Sequence, residues 1–228
     1  MRIEEMNWMD VEEYLQHDDR LMLVVGACEQ HGYLSLLSDV KIPLALADAA
    51  SKQTGVIVAP PVNFGSSPYF LTYPGTLSLK LSTLMDAVED ILRSAYGQGF
   101  KRFLVLNGHG GNSGLKIRLT ELATQCPGLQ VQWYAWWMAH SVEEVAIQHD
   151  LKPSHANWLE AFPFNIVADL PQVEKIPPRV PSDVMDAQQT REVYGDGSFG
   201  GRYRAPLEIM AEIFDAALQD ILQLLKFQ

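Results

Sequence analysis

Glu29 and His31 stand two residues apart just after a short apolar run, and Asp39 follows eight residues beyond His31. In an extended segment, side chains at i and i+2 leave the chain on the same face. The pair can therefore bring a carboxylate and an imidazole to a common point. His109 follows a second apolar run, within Asn107-Gly108-His109-Gly110-Gly111-Asn112. If the two runs are neighbouring strands, all four side chains converge above one sheet edge. Two imidazoles and two carboxylates are an ordinary ligand set for zinc, manganese or iron(II). A bridging carboxylate would admit a second ion, roughly 3.5–4 Å from the first. Spacing alone leaves a plainer reading open, with Glu29 and Asp39 as solvated loop acids and the histidines at the surface.

Those residues need elements to hold them. Phe103–Leu106 is an unbroken apolar run before a glycine-rich turn, which suits a strand buried on both faces. Ligands of open α/β sheets bind outside the carboxyl ends of strands. His109 would sit at such an end, between glycines that permit close backbone approach. Leu21–Val25 reads as an earlier buried strand, Val40–Ala50 as a helix, and Val56–Ala59 as a strand stopped by Pro60-Pro61. Residues 63–76 form a turn-rich loop. An amphipathic helix then runs from Leu81 to Leu92, ended by Gly97 and Gly99. Leu115–Leu122 is helical and Val131–Trp137 is a further strand. Ser141 with Glu144 has capping-box spacing, and Ser154 could cap a segment over 155–164. Residues 171–206 read as a long ordered loop, and Met210 to Leu225 as the last helix. The alternation from residue 21 to about 137 predicts a three-layer α/β/α sandwich with a mostly parallel central sheet, as one domain over 1–228.

The 228 residues are 47% hydrophobic and 20% charged, with a net charge of −11. That is the composition of an ordinary globular protein. The negative balance argues against nucleic acid or an anionic membrane as partner. No run is long and apolar enough to span a bilayer, and the acidic first residues do not resemble a signal peptide. Two cysteines do not make a disulfide framework, so a cytoplasmic location is expected.

Several short motifs, taken together and in order, resemble the creatininase family (creatinine amidohydrolase-like proteins). They are Glu29-Gln30-His31-Gly32 followed by Asp39, then Tyr73-Pro74-Gly75-Thr76-Leu77-Ser78, then Asn107 to Asn112, then His155-Ala156 with Glu160. Gly195-Asp196 is a weaker match to a late Gly-Asp. The resemblance implies a metal-dependent amidohydrolase with two divalent ions per chain, of zinc, manganese or iron. It assigns Glu29, His31, Asp39 and His109 as metal ligands, with Asp39 as the bridge. The further glutamate ligand of creatininase itself falls at Gly111 here, and Glu160 is the expected substitute. His155 matches the proton-transfer residue. A metal-activated water would attack the carbonyl carbon of a small cyclic or linear amide. A homo-oligomer, a hexamer built as a trimer of dimers, is implied as well.

The departures fall around the pocket. The family's second histidine after Glu-Gln-His is missing from Gly32 to Ser38, and Tyr69-Phe70 replaces a common Glu-His. Were residues 155–160 helical, His155 and Glu160 would stand about 140° apart, able to share a site only with His155 at the helix entry. Trp158 is the expected pocket wall and Cys28 a small buried residue facing away. Ser113 lacks the spacing of a nucleophile elbow. The competing reading is a non-catalytic module that binds an anion or nucleotide at the glycine-rich turn. Glu29, His31, Asp39 and His109 have no use in that role.

Overall fold

The computed structural model describes residues 1–228. Four strands, β1 (Arg20–Val25), β2 (Ile57–Val58), β3 (Arg102–Asn107) and β4 (Gln130–Ala135), form one sheet in the order β2-β1-β3-β4. Every pairing is parallel, and Val25 lies opposite Asn107. The inner strands β1 and β3 are apolar along their length because helices cover both faces. Leu21, Leu23, Val25, Phe103 and Val105 face α3 (Leu81–Gln98) and α4 (Leu115–Gln125). Helix α1 (Trp8–Leu15) packs at the edge of the same layer. The intervening Met22, Val24, Leu104 and Leu106 face α2 (Ser38–Thr54), α5 (His140–Gln148) and α7 (Leu207–Leu224). This is the three-layer α/β/α sandwich that the alternating pattern predicts.

The local differences have local causes. Strand β2 shrinks to two residues, and Trp136–Met138 turns as a 3-10 helix instead of extending β4. Ser141 does not cap α5, whose preceding residue is Ala139; its hydroxyl donates to Asp220 at 2.6 Å. Residues 171–206 contain helix α6 (Ala187–Tyr194), closed by a capping box between Asp186 and Gln189. Residues 155–164 are not an α-helix. Ala156 takes a left-handed φ of 52°, and a 3-10 turn over Trp158–Glu160 follows, capped by Asn157.

One close approach sets the position of the site. Helix α2 starts at Ser38, so Asp39 lies in its first turn. There its main-chain carbonyl rests against the carboxyl ends of β1 and β3. A Cβ on Gly26 or Gly108 would overlap that carbonyl. Both glycines are therefore steric requirements of the α2 entry. Gly108→Ala is expected to destabilise the fold by about 1–3 kcal/mol, the usual cost of overpacking. Gly110→Ala, whose Cβ meets nothing within 4 Å, serves as the control. Urea unfolding of the two variants checks the contrast; equal midpoints would refute the wedge.

Candidate metal centre

The α2 entry brings Asp39 between two imidazoles. Its Oδ1 lies 3.0 Å from His31 Nε2 and its Oδ2 lies 3.0 Å from His109 Nδ1. Glu29 Oε1 is 3.3 Å from His109 Nδ1, and Glu160 Oε1 is 3.6 Å from His31 Nε2. The five side chains make two clusters, Glu29-Asp39-His109 and His31-Asp39-Glu160, with ligand atoms in each all within 4.8 Å of one another. Asp39 belongs to both. All five residues are buried, so the solvated-acid reading of Glu29 and Asp39 does not hold. The strand pair predicted to bring them together is adjacent and in register.

The residues fit a pair of divalent ions. Glu29 Oε2, His31 Nε2 and Asp39 Oδ2 are buried without a hydrogen-bond partner, although they point into a space lined by one another. Polar groups so placed are costly unless something compensates them. The outer nitrogen of each imidazole is held by a backbone carbonyl. His31 Nδ1 lies 3.2 Å from Glu29 O, and His109 Nε2 lies 2.9 Å from Ser66 O. Donation there leaves the inner nitrogen of each ring as a lone pair, which is the usual arrangement of a metal-bound histidine. Ser67 Oγ and the Tyr69 hydroxyl also surround His109 Nε2, at 3.2 and 3.4 Å.

Electrostatics says the same. Burial lowers the His109 pKa, but the carboxylates of Glu29 and Asp39 outweigh it and raise it to about 10. His31 is likewise depressed by burial and raised well above its ordinary value by Asp39 and Glu160. Burial pushes the Asp39 carboxyl up, yet His31 and His109 hold it well below the usual carboxylate range. The cluster calls for positive charge, which protons or cations can supply.

Gly111 packs tightly beside His109. A Cβ there would overlap Ser66 O and His109 Nε2, so this backbone has no room for a side chain at 111. Glu160 reaches the cluster from the 3-10 turn. The reversal at Ala156 lets the Ala156 N–H donate to Glu160 Oε2 at 2.6 Å, so His155 and Glu160 line one cavity despite their sequence separation.

That cavity has a volume of about 850 Å³. Tyr69, Phe70, Trp137, Tyr194 and Phe199 supply its aromatic wall. Trp158 does not line it. The indole is buried in the core, with Nε1 donating to Lys152 O at 3.0 Å. Cys28 is half-buried rather than buried, its thiol 3.4 Å from Gly75 O, and is likewise outside the cavity lining. His155 is stacked on Phe70 at 5.0 Å between ring centroids and sits 4.5 Å from His31. Burial and the adjacent His31 lower its pKa, against the pull of the nearby carboxylates. Tyr69 and Phe70 were marked only as departures from the family's pattern, and Ser66 and Phe199 carried no signal in their spacing. The anion-binding alternative is weakened, because Gly108 N–H and His109 N–H already donate to Val25 O and Asn107 Oδ1, and the carboxylates of Glu29 and Asp39 face His109 Nδ1.

A family model described as creatinine amidohydrolase matches residues 4–225. The chain belongs to the creatininase family. It is similar to creatinine amidohydrolase of Pseudomonas putida, 34% identical over 130 residues, covering 52% of this chain and 50% of that one. It is also similar to 3-dehydro-scyllo-inosose hydrolase of Thermotoga maritima, 27% identical over 135 residues, covering 57% of this chain and 43% of the other. The matched region thus spans about half the length of these curated relatives. A solved structure titled creatininase Mn superposes with a TM-score of 0.81 at 27% identity, covering 97% of this chain and 96% of that chain.

Metal uptake at this cluster would displace protons. In metal-stripped protein, the stabilisation from His109 is complete below the free imidazole value, about 6.5. It is lost as pH rises through about 10. Zinc added at pH 8 therefore releases protons as it binds. Calorimetry in two buffers of different ionisation enthalpy should give different apparent heats; identical heats would contradict the arrangement.

Proposed function

We propose that this chain is a metal-dependent amidohydrolase that cleaves the C–N bond of a small cyclic or linear amide. Glu29, Asp39 and His109 would hold one divalent ion, and His31, Asp39 and Glu160 a second, with Asp39 bridging. The supporting observation is the Asp39 carboxylate, with one oxygen toward each histidine. Bound ions supply Lewis acidity: they acidify water and stabilise charge on a carbonyl oxygen. The imidazole and carboxylate donors accept zinc, manganese or iron(II).

The rest of the chemistry belongs to the protein. The Ser66 and Glu29 carbonyls orient the histidine rings. Phe70 and Phe199 flank His155 and hold its ring in place. His155 lines the cavity, where a reacting amide would meet it; the family resemblance gives it proton transfer. The cavity is of the size that takes a small molecule. No lysine or arginine lines it, while Asp183 and Asp186 do. That lining favours a neutral or cationic amide over an anionic one. The resemblance extends to a hexamer, while the negative charge and the two cysteines favour a cytoplasmic protein without nucleic-acid or membrane partners. No helix is long and apolar enough to cross a membrane.

Asp39→Ala and His109→Ala are each expected to remove turnover while leaving the fold intact. The loss should exceed the roughly 10–100-fold that partners outside the ligand shell cost. Hydrolysis of creatinine and of a panel of neutral cyclic and dipeptide amides, with circular dichroism as the fold check, tests this. Wild-type turnover in either variant would overturn the mechanism.

A further inference from the structure

Gln30, between the two candidate ligands Glu29 and His31, has no part in the ligand set, yet it is buried and every polar atom of its side chain is engaged. Its Nε2 lies 2.9 Å from His155 Nε2 and donates to Gly197 O at 3.1 Å. Its Oε1 accepts from Gly32 N–H at 3.1 Å. The backbone is pinned as well, Gln30 N–H donating to Thr76 Oγ1 at 3.1 Å. The amide orientation is thereby determined. Turned by 180°, its NH₂ would face the Gly32 N–H and its oxygen would face the Gly197 carbonyl, two repulsive contacts replacing two hydrogen bonds.

An amide nitrogen can only donate. His155 Nε2 must then be the acceptor, without a proton. A neutral imidazole keeps its single proton on the other nitrogen. We propose that Gln30 is a positioning residue that locks His155 as the neutral Nδ1–H tautomer, so that His155 meets the substrate as a hydrogen-bond donor. With its lone pair tied to Gln30, His155 has only Nδ1–H to offer, so the proton-transfer role that the resemblance gives it becomes one of donation. It would hydrogen-bond the substrate through Nδ1–H and polarise it. The inference rests on the hydrolase reading for the word substrate, but the tautomer stands on the hydrogen bonds alone.

The turn at 195–198 maintains the lock. Gly197 has a φ of 96°, and a Cβ there would overlap the Gln30 amide. Asp196 braces the turn, accepting from Ser198 N–H and the Tyr203 hydroxyl and pairing with Lys175. The weakly matched Gly195-Asp196 segment thus acquires a role at one remove from the chemistry, as a seat for Gln30.

The test is a long-range ¹H–¹⁵N histidine spectrum of the zinc-loaded protein, with the His155 signals assigned by their loss in His155→Asn. The expected spectrum has Nδ1 protonated and Nε2 bare. In Gln30→Met, which can neither donate nor accept at that position, the two His155 nitrogens should move towards a mixture of tautomers. A wild-type spectrum with Nε2 protonated would overturn the proposal, as would a folded Gln30→Met with unchanged His155 signals. The wild-type spectrum suffices if the variant does not fold. Failure of the hydrolase reading is read separately, as absence of turnover on the amide panel, and leaves the spectral result intact.

Discussion

The carboxylate of Asp39 is the hinge of the structure, because it faces both histidines at 3.0 Å while its own backbone sits on the ends of the two central strands. Those facts are mutually dependent. The side chain reaches the space between His31 and His109 only if the α2 entry lies flush with the sheet. That contact exists only while positions 26 and 108 carry no Cβ. Placement in the first turn of a helix adds a favourable dipole to a buried negative charge. The parallel register of β1 and β3 then places the loops that carry Glu29, His31 and His109 at the same edge of the sheet.

Around that centre, the loops supply orientation as well as side chains of the cluster. The Ser66 carbonyl holds one ring of the cluster, Thr76 holds the Gln30 backbone, and the 195–198 turn holds the Gln30 amide. Each support comes from a segment distant in sequence, and the polar groups they hold are buried. Such groups must be satisfied by the protein itself. The motif Glu29-Gln30-His31 therefore carries two kinds of work in three residues: its outer members face the carboxylate-histidine cluster, and its middle member faces His155.

Much of this was legible in the sequence. Strands buried on both faces announce themselves as short apolar runs, and functional residues of α/β folds gather at strand ends, so Glu29, His31, Asp39 and His109 stood out. The helix entry at Ser38 was missed by two residues because Leu37 at the cap gives no capping signal. Trp158 was misplaced for a different reason: proximity to His155 and Glu160 in sequence says little when a left-handed residue at Ala156 reverses the chain between them. Tyr69 and Phe70 showed only as departures from the family's pattern, and Phe199 was invisible, because these residues meet the site through loops whose paths no local pattern encodes. The helix hidden in residues 171–206 is short and surrounded by proline and glycine, which masks its period.

The central claim is that Asp39 is shared by two ion sites. Anomalous diffraction from crystals of manganese-loaded protein tests it most directly. The account predicts two peaks flanking the Asp39 carboxylate, roughly 3.5–4 Å apart, one toward Glu29 and His109 and the other toward His31 and Glu160. A single peak remote from Asp39, or no peak among these five side chains at saturating manganese, would contradict it.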